Sequence, residues 1–261
     1  MCEAVGMVKP WEHTAQNMER ALVQLIALWD KQIERPWVVE EGRHASNVAM
    51  ISAYTHHVVN LSRAVLALHR AGLDFEVVGI VRSSMECVAT TMWLYAFPDK
   101  TVQRVLWSSA ELVQVVKSFE LAGMDTGEDP VADEHKRLVE ELGKPDDLEG
   151  RDLWRRFIAM AGGRQLYSIY RVLCTLDHAT NTLADQYTLA DGDNPPRILT
   201  RAREDDATTT FIGLQALMLL RAQIAADLIL KTRRHHTQLD DWATRLGVDP
   251  KIAAASEFEG A

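Results

Sequence analysis

Residues 74–98, DFEVVGIVRSSMECVATTMWLYAFP, decide the fold because they combine a helix start, a long apolar pattern and a helix stop. Asp74 is a suitable N-cap, and Pro98 marks the end of the segment. The apolar side chains that recur at helical spacing are Val77, Val78, Ile80, Val81, Met85 and Val88. The segment therefore predicts a largely apolar helix in the interior of a helical protein.

The same periodicity continues on both sides of this segment and predicts further helices. They cover about 11–35, 46–71, 99–122, 130–142, 152–160, 165–180 and 206–234, with a short helix near 240–247. The stretches QYTLA and RILTRA flank a Gly-Asp-Asn-Pro-Pro turn and predict two short strands. The sequence thus predicts an all-α antiparallel helical bundle with one small β-hairpin near residues 186–202.

We expect one helical domain over residues 1–248. Its core would cover about 45–235, and the N-terminal helix 11–35 would pack on that core. The polar, Gly-rich stretch near Met124–Asp129 is the best candidate for an internal boundary. Residues 249–261 are expected to form a flexible tail.

The chain of 261 residues has a formal net charge of -9 and a pI of about 5.5. A field of that sign repels nucleic acids and anionic membranes, so a phosphate ligand would need a local basic patch. Two patches are candidates: Arg151, Arg155, Arg156, Arg164 and Arg171, and Lys231, Arg233, Arg234, His235 and His236. The second is typical of a helix C-terminus, where the helix dipole favours cations.

Cysteine usage and the chain start predict a cytoplasmic location. Cys2, Cys87 and Cys174 are widely spaced and form no CxxC motif, so neither a zinc site nor a disulfide framework is predicted. The N-terminal residues have no basic region followed by a long apolar one, as a signal peptide would. The longest apolar run, FIGLQALMLL at 211–220, is too short to cross a bilayer, and we expect no membrane contact.

The segment Tyr167–Thr182 is the first candidate site. Arg171, Cys174 or Thr175, His178, and Asn181 or Thr182 follow at steps of three and four, which places them on one face of a helix. Asp177 precedes the histidine. The opposite face carries Ile169, Leu173 and Leu176, which are suited to burial. Such a helix is suited to line a polar site.

Arg82 and Glu86 are the second candidate, an i,i+4 pair in an otherwise apolar helix. Buried charges need partners. In one alternative the pair is structural, and the two side chains pair with each other or with Arg171 and His178 in a polar layer. In the other alternative, Arg82 and Glu86 belong to a functional site together with Arg171 and His178.

The segments 79–97, GIVRSSMECVATTMWLYAF, and 166–180, LYSIYRVLCTLDHAT, carry a family resemblance. The first resembles the Arg-x-x-x-Glu helix of an uncharacterised bacterial helical family, domain of unknown function 5677. The second, followed by a hairpin, resembles that family's Tyr-rich helix with a small residue four positions before a histidine. The matching positions here are Arg82, Glu86, Tyr170, Cys174 and His178, and the resemblance covers roughly residues 45–235.

RVLCTLDH at 171–178 also resembles the Arg–His motif of the HEPN superfamily. That resemblance implies a metal-independent ribonuclease of a bacterial defence or toxin–antitoxin system, acting as a homodimer. His178 would then be the general base for the ribose 2′-OH, and Arg171 would neutralise the phosphate. Glu86 would orient either of them.

Three functional hypotheses remain open at this point. The first is a HEPN-like ribonuclease or phosphate-binding relative, with Arg171, His178, Glu86 and Arg82 as catalytic residues and Tyr170, Cys174, Tyr167, Asp177 and Asn181 as binding residues. The second is a non-enzymatic interaction, antitoxin-like or sensor module, with a cognate protein partner, in which the polar set is structural. The third is a metal oxidase; Glu41-x-x-His44 supplies only half of a di-iron pattern, so no metal or cofactor is expected.

Overall fold

The computed structural model describes residues 11–98, 137, 152–178, 181–191, 194–199, 201–202 and 207–255. Within these residues the helices are α1 (Ala15–Ile33), α2 (Ala45–Arg70), α3 (Val78–Ala96), α4 (Leu153–Ile158), α5 (Gly163–Asp177), α6 (Asn181–Gln186), α7 (Ala207–Leu228) and α8 (His236–Leu246). The all-α prediction is confirmed. The helices predicted at 99–122 and 130–142 (Arg137 excepted), the boundary near Met124–Asp129, and Arg151 lie outside the described residues.

Helix α7 is the central helix of the bundle and packs against α1, α2 and α3. Its apolar residues are spread around the whole helix, which is the pattern of a helix buried on every side. Three consecutive residues that point about 100° apart, Met218, Leu219 and Leu220, are at most 2% exposed. Helix α1 contributes the opposite pattern, one apolar face that includes Leu22 and Leu25, both fully buried. Helix α1 packs on α7 through this face.

Buried polar side chains tie α7 to its neighbours. Gln215 donates from Nε2 to the Ser62 hydroxyl oxygen at 2.8 Å, and Gln223 donates from Nε2 to the Leu25 carbonyl at 2.8 Å. Thr55 donates its hydroxyl to the Ala222 carbonyl at 3.2 Å. Because an apolar surface packs almost equally well in several registers, these bonds help to fix how far along the bundle α7 sits.

The stretch Thr209–Leu228 of α7 is, by length and composition alone, sufficient to cross a membrane. The prediction that its apolar run is too short is therefore wrong, because the helix extends well beyond residues 211–220. However, 72% of the apolar window lies buried inside the structure. A central core helix has the same length and composition, so this finding is weak evidence for a membrane.

The entry into α3 differs in detail from the prediction. A single 3-10 turn, Phe75–Val77, precedes α3, and the Asp74 side chain accepts no capping hydrogen bond. Instead the Asp74 carboxylate contacts Nδ1 of His69 at the end of α2. The acid therefore ties two successive helices together across the turn at Gly72, whose φ of 68° lies in the left-handed region that glycine favours.

The predicted hairpin is present, with strands β1 (Thr188–Asp191) and β2 (Asn194–Ile198) paired antiparallel. Thr188 lies opposite Ile198, and Asp191 lies opposite Asn194. The turn is shorter than predicted, because Asn194, Pro195 and Pro196 belong to the second strand. Proline is tolerated there since both strands of a two-stranded sheet are edges with one free side.

The segment after α7 departs from the prediction of a helix to residue 234. Helix α7 ends at Leu228, and the chain then pairs with the residues before α2. Glu40 donates its N–H to the Ile229 carbonyl at 3.0 Å, and Lys231 donates to the Val38 carbonyl at 2.9 Å. The basic residues from Lys231 to His236 therefore lie on a connection and at the start of α8, not at a helix C-terminus.

The described part of the predicted tail packs on the body of the protein. Ala161 donates its N–H to the Ala253 carbonyl at 3.0 Å, and Ala255 donates to the Ala159 carbonyl at 2.8 Å. Arg221 of α7 also donates to the Lys251 carbonyl at 3.1 Å. Residues 251–255 thus form a short antiparallel pairing after α4, and the prediction of a flexible tail is wrong for them.

Candidate functional site

A group of polar side chains lies where α5 packs against α3. Arg82 and Glu86 come from α3, one helical turn apart, while Tyr170, Cys174 and Asp177 come from α5. Residues 170, 174 and 177 share one helical face, since steps of four and three return to the same side. We call these five residues the α3–α5 polar network.

The ion pairs and the hydrogen bond of the α3–α5 polar network connect the two helices. Nε of Arg82 lies 3.4 Å from Oδ2 of Asp177 and 3.9 Å from Oε1 of Glu86. Tyr170 donates its hydroxyl to Oε1 of Glu86 at 2.9 Å. The three ionised side chains are 25% (Arg82), 40% (Glu86) and 30% (Asp177) exposed, so the network lies at the border of the core and not within it.

Gly79 makes room for this network. A Cβ atom at position 79 would lie 2.7 Å from Oδ1 of Asp177 and 3.4 Å from its Cγ. The first distance is shorter than a normal van der Waals contact. A side chain at position 79 would therefore push the carboxylate away. Sequence reasoning missed this residue, although a glycine in a helical pattern, three positions before Arg82, is a usable signal.

The electrostatics of the network follow from partial burial and from the neighbouring charges. Burial acts to lower the pKa of Arg82, but Asp177, the Cys174 thiol and Glu86 act to raise it, and the net shift is upward. The pKa of Tyr170 is raised, first by burial and then by its contacts with Cys174 and Glu86. Arg82 therefore stays charged, and Tyr170 stays a hydrogen-bond donor.

Arg171 and His178 are not part of this network. Helix α5 ends at Asp177, and His178 is its C-cap with extended backbone angles, φ -82° and ψ 154°. Both side chains are exposed. The pKa of Arg171 is raised chiefly by its hydrogen bond with Tyr167, and no ion pair joins it to Glu86 among the described residues.

The predicted site face is therefore shifted by one residue. The inward polar face of α5 carries 170, 174 and 177, whereas 171, 174 or 175, 178 and 181 were predicted to share one face. Asn181 begins a separate helix, α6, so the predicted continuous helix through residue 180 is wrong. Of the two alternatives for Arg82 and Glu86, pairing with each other is present, whereas their further contacts are with Asp177 and Tyr170 and not with Arg171 and His178.

Aromatic rings support α5 next to the network. Tyr167 and Tyr170 stack with ring centroids 5.8 Å apart, and Phe157 of α4 lies 5.7 Å from each of them. Trp154 lies 4.5 Å from Tyr167. The tyrosine predicted to bind a ligand, Tyr167, thus packs in an aromatic cluster that holds α4 and α5 together.

A second polar group lies on the other side of Glu86. Arg156 of α4 donates to the Thr90 hydroxyl oxygen at 3.0 Å and lies 5.6 Å from the Trp93 ring centroid. The pKa of the neighbouring Cys87 is raised to about 11, first by burial and then by the charge of Glu86. Cys87 is thus mostly an unreactive thiol near neutral pH.

No protein-family model, curated protein or solved structure matches this chain. The likeness to domain of unknown function 5677 and to the HEPN superfamily therefore stays a prediction. Among the described residues no group of three or more His, Cys, Asp or Glu side chains is arranged to hold a metal ion. The chemistry of the site must accordingly be argued from the side chains themselves.

Proposed function

We propose that this protein is a non-enzymatic helical interaction module, of the antitoxin-like or sensor kind, in which the α3–α5 polar network is structural. The observation that carries this proposal is the position of the Arg82 guanidinium beside two carboxylates, those of Asp177 and Glu86. The network holds one positive and two negative side chains. It therefore has no excess positive charge for a phosphate group.

The geometry supports the same conclusion. A phosphate close to Arg82 would also approach Asp177 and Glu86, and two like charges about 4 Å apart repel by roughly 4 kcal/mol at an effective dielectric constant near 20. Glu86 already accepts the Tyr170 hydroxyl and faces Arg82. Among the described residues no hydrogen bond joins Glu86 to His178, so the role of orienting a general base at His178 has no support from Glu86.

The experiment measures stability and ribonuclease activity on the same proteins. Tyr170→Phe and Glu86→Gln, singly and together, should lower the free energy of unfolding by about 0.5–1.5 kcal/mol each, with a non-additive double variant. The partial exposure of Glu86 keeps this loss small. Tyr95→Phe is the matched control for removal of a phenol hydroxyl. Additive, negligible losses would contradict a structural network.

A second candidate function, a HEPN-like ribonuclease, is favoured by one observation. Arg171 and His178 are both exposed at the end of α5 and its cap, so a substrate would have access to both. RNA incubated with the full-length protein in EDTA tests it. Cleavage that is abolished by Arg171→Ala and by His178→Ala, but kept by Arg20→Ala at an exposed position of α1, would establish the ribonuclease and overturn the non-enzymatic proposal.

The partner is proposed to be a second copy of this chain or a cognate protein. A molar mass measured by light scattering on the purified protein separates the two. A mass near twice 29.3 kDa indicates the homodimer. A monomer would leave only a different protein as the partner of the module.

A further inference from the structure

A small polar cavity lies between α1, α7 and α8, away from the α3–α5 polar network. The cavity has a volume of about 190 Å³, including the part that is open to solvent. The lining side chains are Leu28, Trp29, Gln32, Gln223, Asp227, His235 and Leu239. Three of these residues, Gln32, Asp227 and His235, carry polar side-chain atoms.

The Asp227 carboxylate is the first hydrogen-bond acceptor. Asp227 is only 3% exposed although it sits in the last turn of the core helix α7. Oδ1 accepts the backbone N–H of His235 at 3.3 Å. Burial raises the pKa of Asp227, and this effect outweighs the hydrogen bond and the positive charges of His235, His236 and Arg233, which lower it. The surrounding groups thus compensate the buried negative charge only in part.

Gln32 supplies a second acceptor, and His235 supplies a third in the tautomer that carries its proton on Nε2. Gln32 is 5% exposed, and within the described part of the chain its Oε1 has no hydrogen-bond partner. The same is true of Nδ1 of His235. A buried polar atom without a partner costs about 1–3 kcal/mol, so two such atoms on residues that line one cavity with a buried carboxylate point to a ligand that donates hydrogen bonds.

Trp29 adds an aromatic wall. Its indole N–H is already used, because it donates to Nδ1 of His56 at 3.1 Å. The ring is also held edge-to-face by Trp37, with centroids 5.7 Å apart. A fixed indole face attracts a cation within about 6 Å. A metal ion would need more oxygen ligands than one carboxylate and one amide.

We propose that this cavity binds a primary ammonium group, either the ammonium ion or the end of an alkylamine, between Asp227, Gln32 and His235 with Trp29 alongside. The ammonium N–H groups would donate to the three acceptors, and its charge would neutralise Asp227. An ammonium ion is close in size to the water molecule for which such a cavity has room. The site goes beyond the proposed function and does not depend on it.

The test uses the full-length protein and calorimetric titration with ammonium, methylammonium, butylammonium and tetramethylammonium chlorides, and with sodium chloride at equal ionic strength. Ammonium or the primary amines should bind saturably and raise Tm, whereas tetramethylammonium, which has no N–H donor, and sodium should not. Stronger binding of butylammonium than of ammonium would identify an alkylamine as the ligand class. The reverse order would identify the free ion.

Variants place the binding in this cavity. Gln32→Met keeps the length of the side chain but removes the acceptor, and Asp227→Asn removes the charge; each should weaken binding at least ten-fold. Gln24→Met, an exposed position on the same helix, is the matched control and should bind as the wild type does. An equal response to sodium and ammonium, or undiminished binding by Gln32→Met, overturns the proposal. The titrations with the different salts use the wild-type protein, so they test the proposal even if a variant does not fold.

Discussion

Gly79→Ala measures directly how closely α3 and α5 approach at the α3–α5 polar network. In a helix interior, alanine is favoured over glycine by about 0.8–1.0 kcal/mol. At position 79 that gain is opposed, because the new Cβ would lie 2.7 Å from Oδ1 of Asp177. The carboxylate must then move away from Arg82, from which Oδ2 now lies 3.4 Å.

The size of the opposing effect follows from the partial exposure of the ion pair. Arg82 and Asp177 are 25% and 30% exposed, so their pairing contributes about 0.2–1 kcal/mol. We therefore expect the effect of Gly79→Ala on the free energy of unfolding of the wild type to lie between a loss of about 0.2 and a gain of about 0.8 kcal/mol. In an Asp177→Ala background the same substitution should stabilise by the full amount, about 0.8–1.0 kcal/mol.

The assay is urea unfolding of the four proteins of this double-mutant cycle, read by circular dichroism. Gly213→Ala in α7 is the control, because its Cβ would meet Met18 only at 3.6 Å, an ordinary contact. An equal gain from Gly79→Ala with and without the Asp177 carboxylate would refute the reasoning. A change in m-value would show that the folded or unfolded state itself had altered.

Three further predictions concern other parts of the molecule. The raised pKa of Asp227 means that the folded state binds this proton more tightly than the unfolded state. Its contribution to stability therefore falls as pH rises above about 4, so Asp227→Asn should gain stability relative to wild type as the pH is raised from there, measured by urea unfolding without amines. The pKa of Cys87 is raised from 9.0 to about 11, so at pH 8 its thiol should be alkylated about 100-fold more slowly in the folded protein than in urea. Peptide mass spectrometry measures the two rates, and equal rates would contradict the burial of Cys87. Deletion of residues 249–261 should lower Tm, because it removes the pairing of 253–255 with 159–161, and an unchanged Tm would contradict that pairing.

The helices were predictable because their cause is local. Apolar spacing identified α1, α2, α3 and α7, and Gly72 and Pro98 marked ends that the structure keeps within a few residues. The end of α7 was not predictable in the same way. No residue in Ile229–Arg234 is incompatible with a helix. The helix ends before this segment because the backbone there forms hydrogen bonds with Val38–Glu40, a distant part of the sequence.

The candidate site was predicted in part, and the error has a geometric cause. Arg82, Glu86, Tyr170, Cys174 and Asp177 were all named, and the structure brings them together. Neighbouring residues on a helix point about 100° apart. A site predicted around Arg171 therefore lies on the solvent-facing side of α5, whereas Tyr170 points toward α3. Both faces carry polar groups, and composition alone does not tell which one meets α3. Gly79 decides it, because only there is the α3 backbone open to the Asp177 carboxylate.

The polar residues of the apolar helices have a common structural role. In α7, Gln215 and Gln223 each donate to a neighbouring helix, and in α3 the charged pair engages α5. Apolar packing alone tolerates sliding and rotation between helices, whereas each of these bonds is satisfied in one register only. A polar side chain in an apolar helix of this protein is therefore expected first to fix register. Gln32 and Asp227 depart from this rule, since Oε1 of Gln32 and Nδ1 of His235, two residues that line one cavity, meet no hydrogen-bond partner in the described chain and burial of Asp227 is compensated only in part. That combination of a cavity, two unpartnered polar atoms and a buried carboxylate is the physical reason to look for a ligand there.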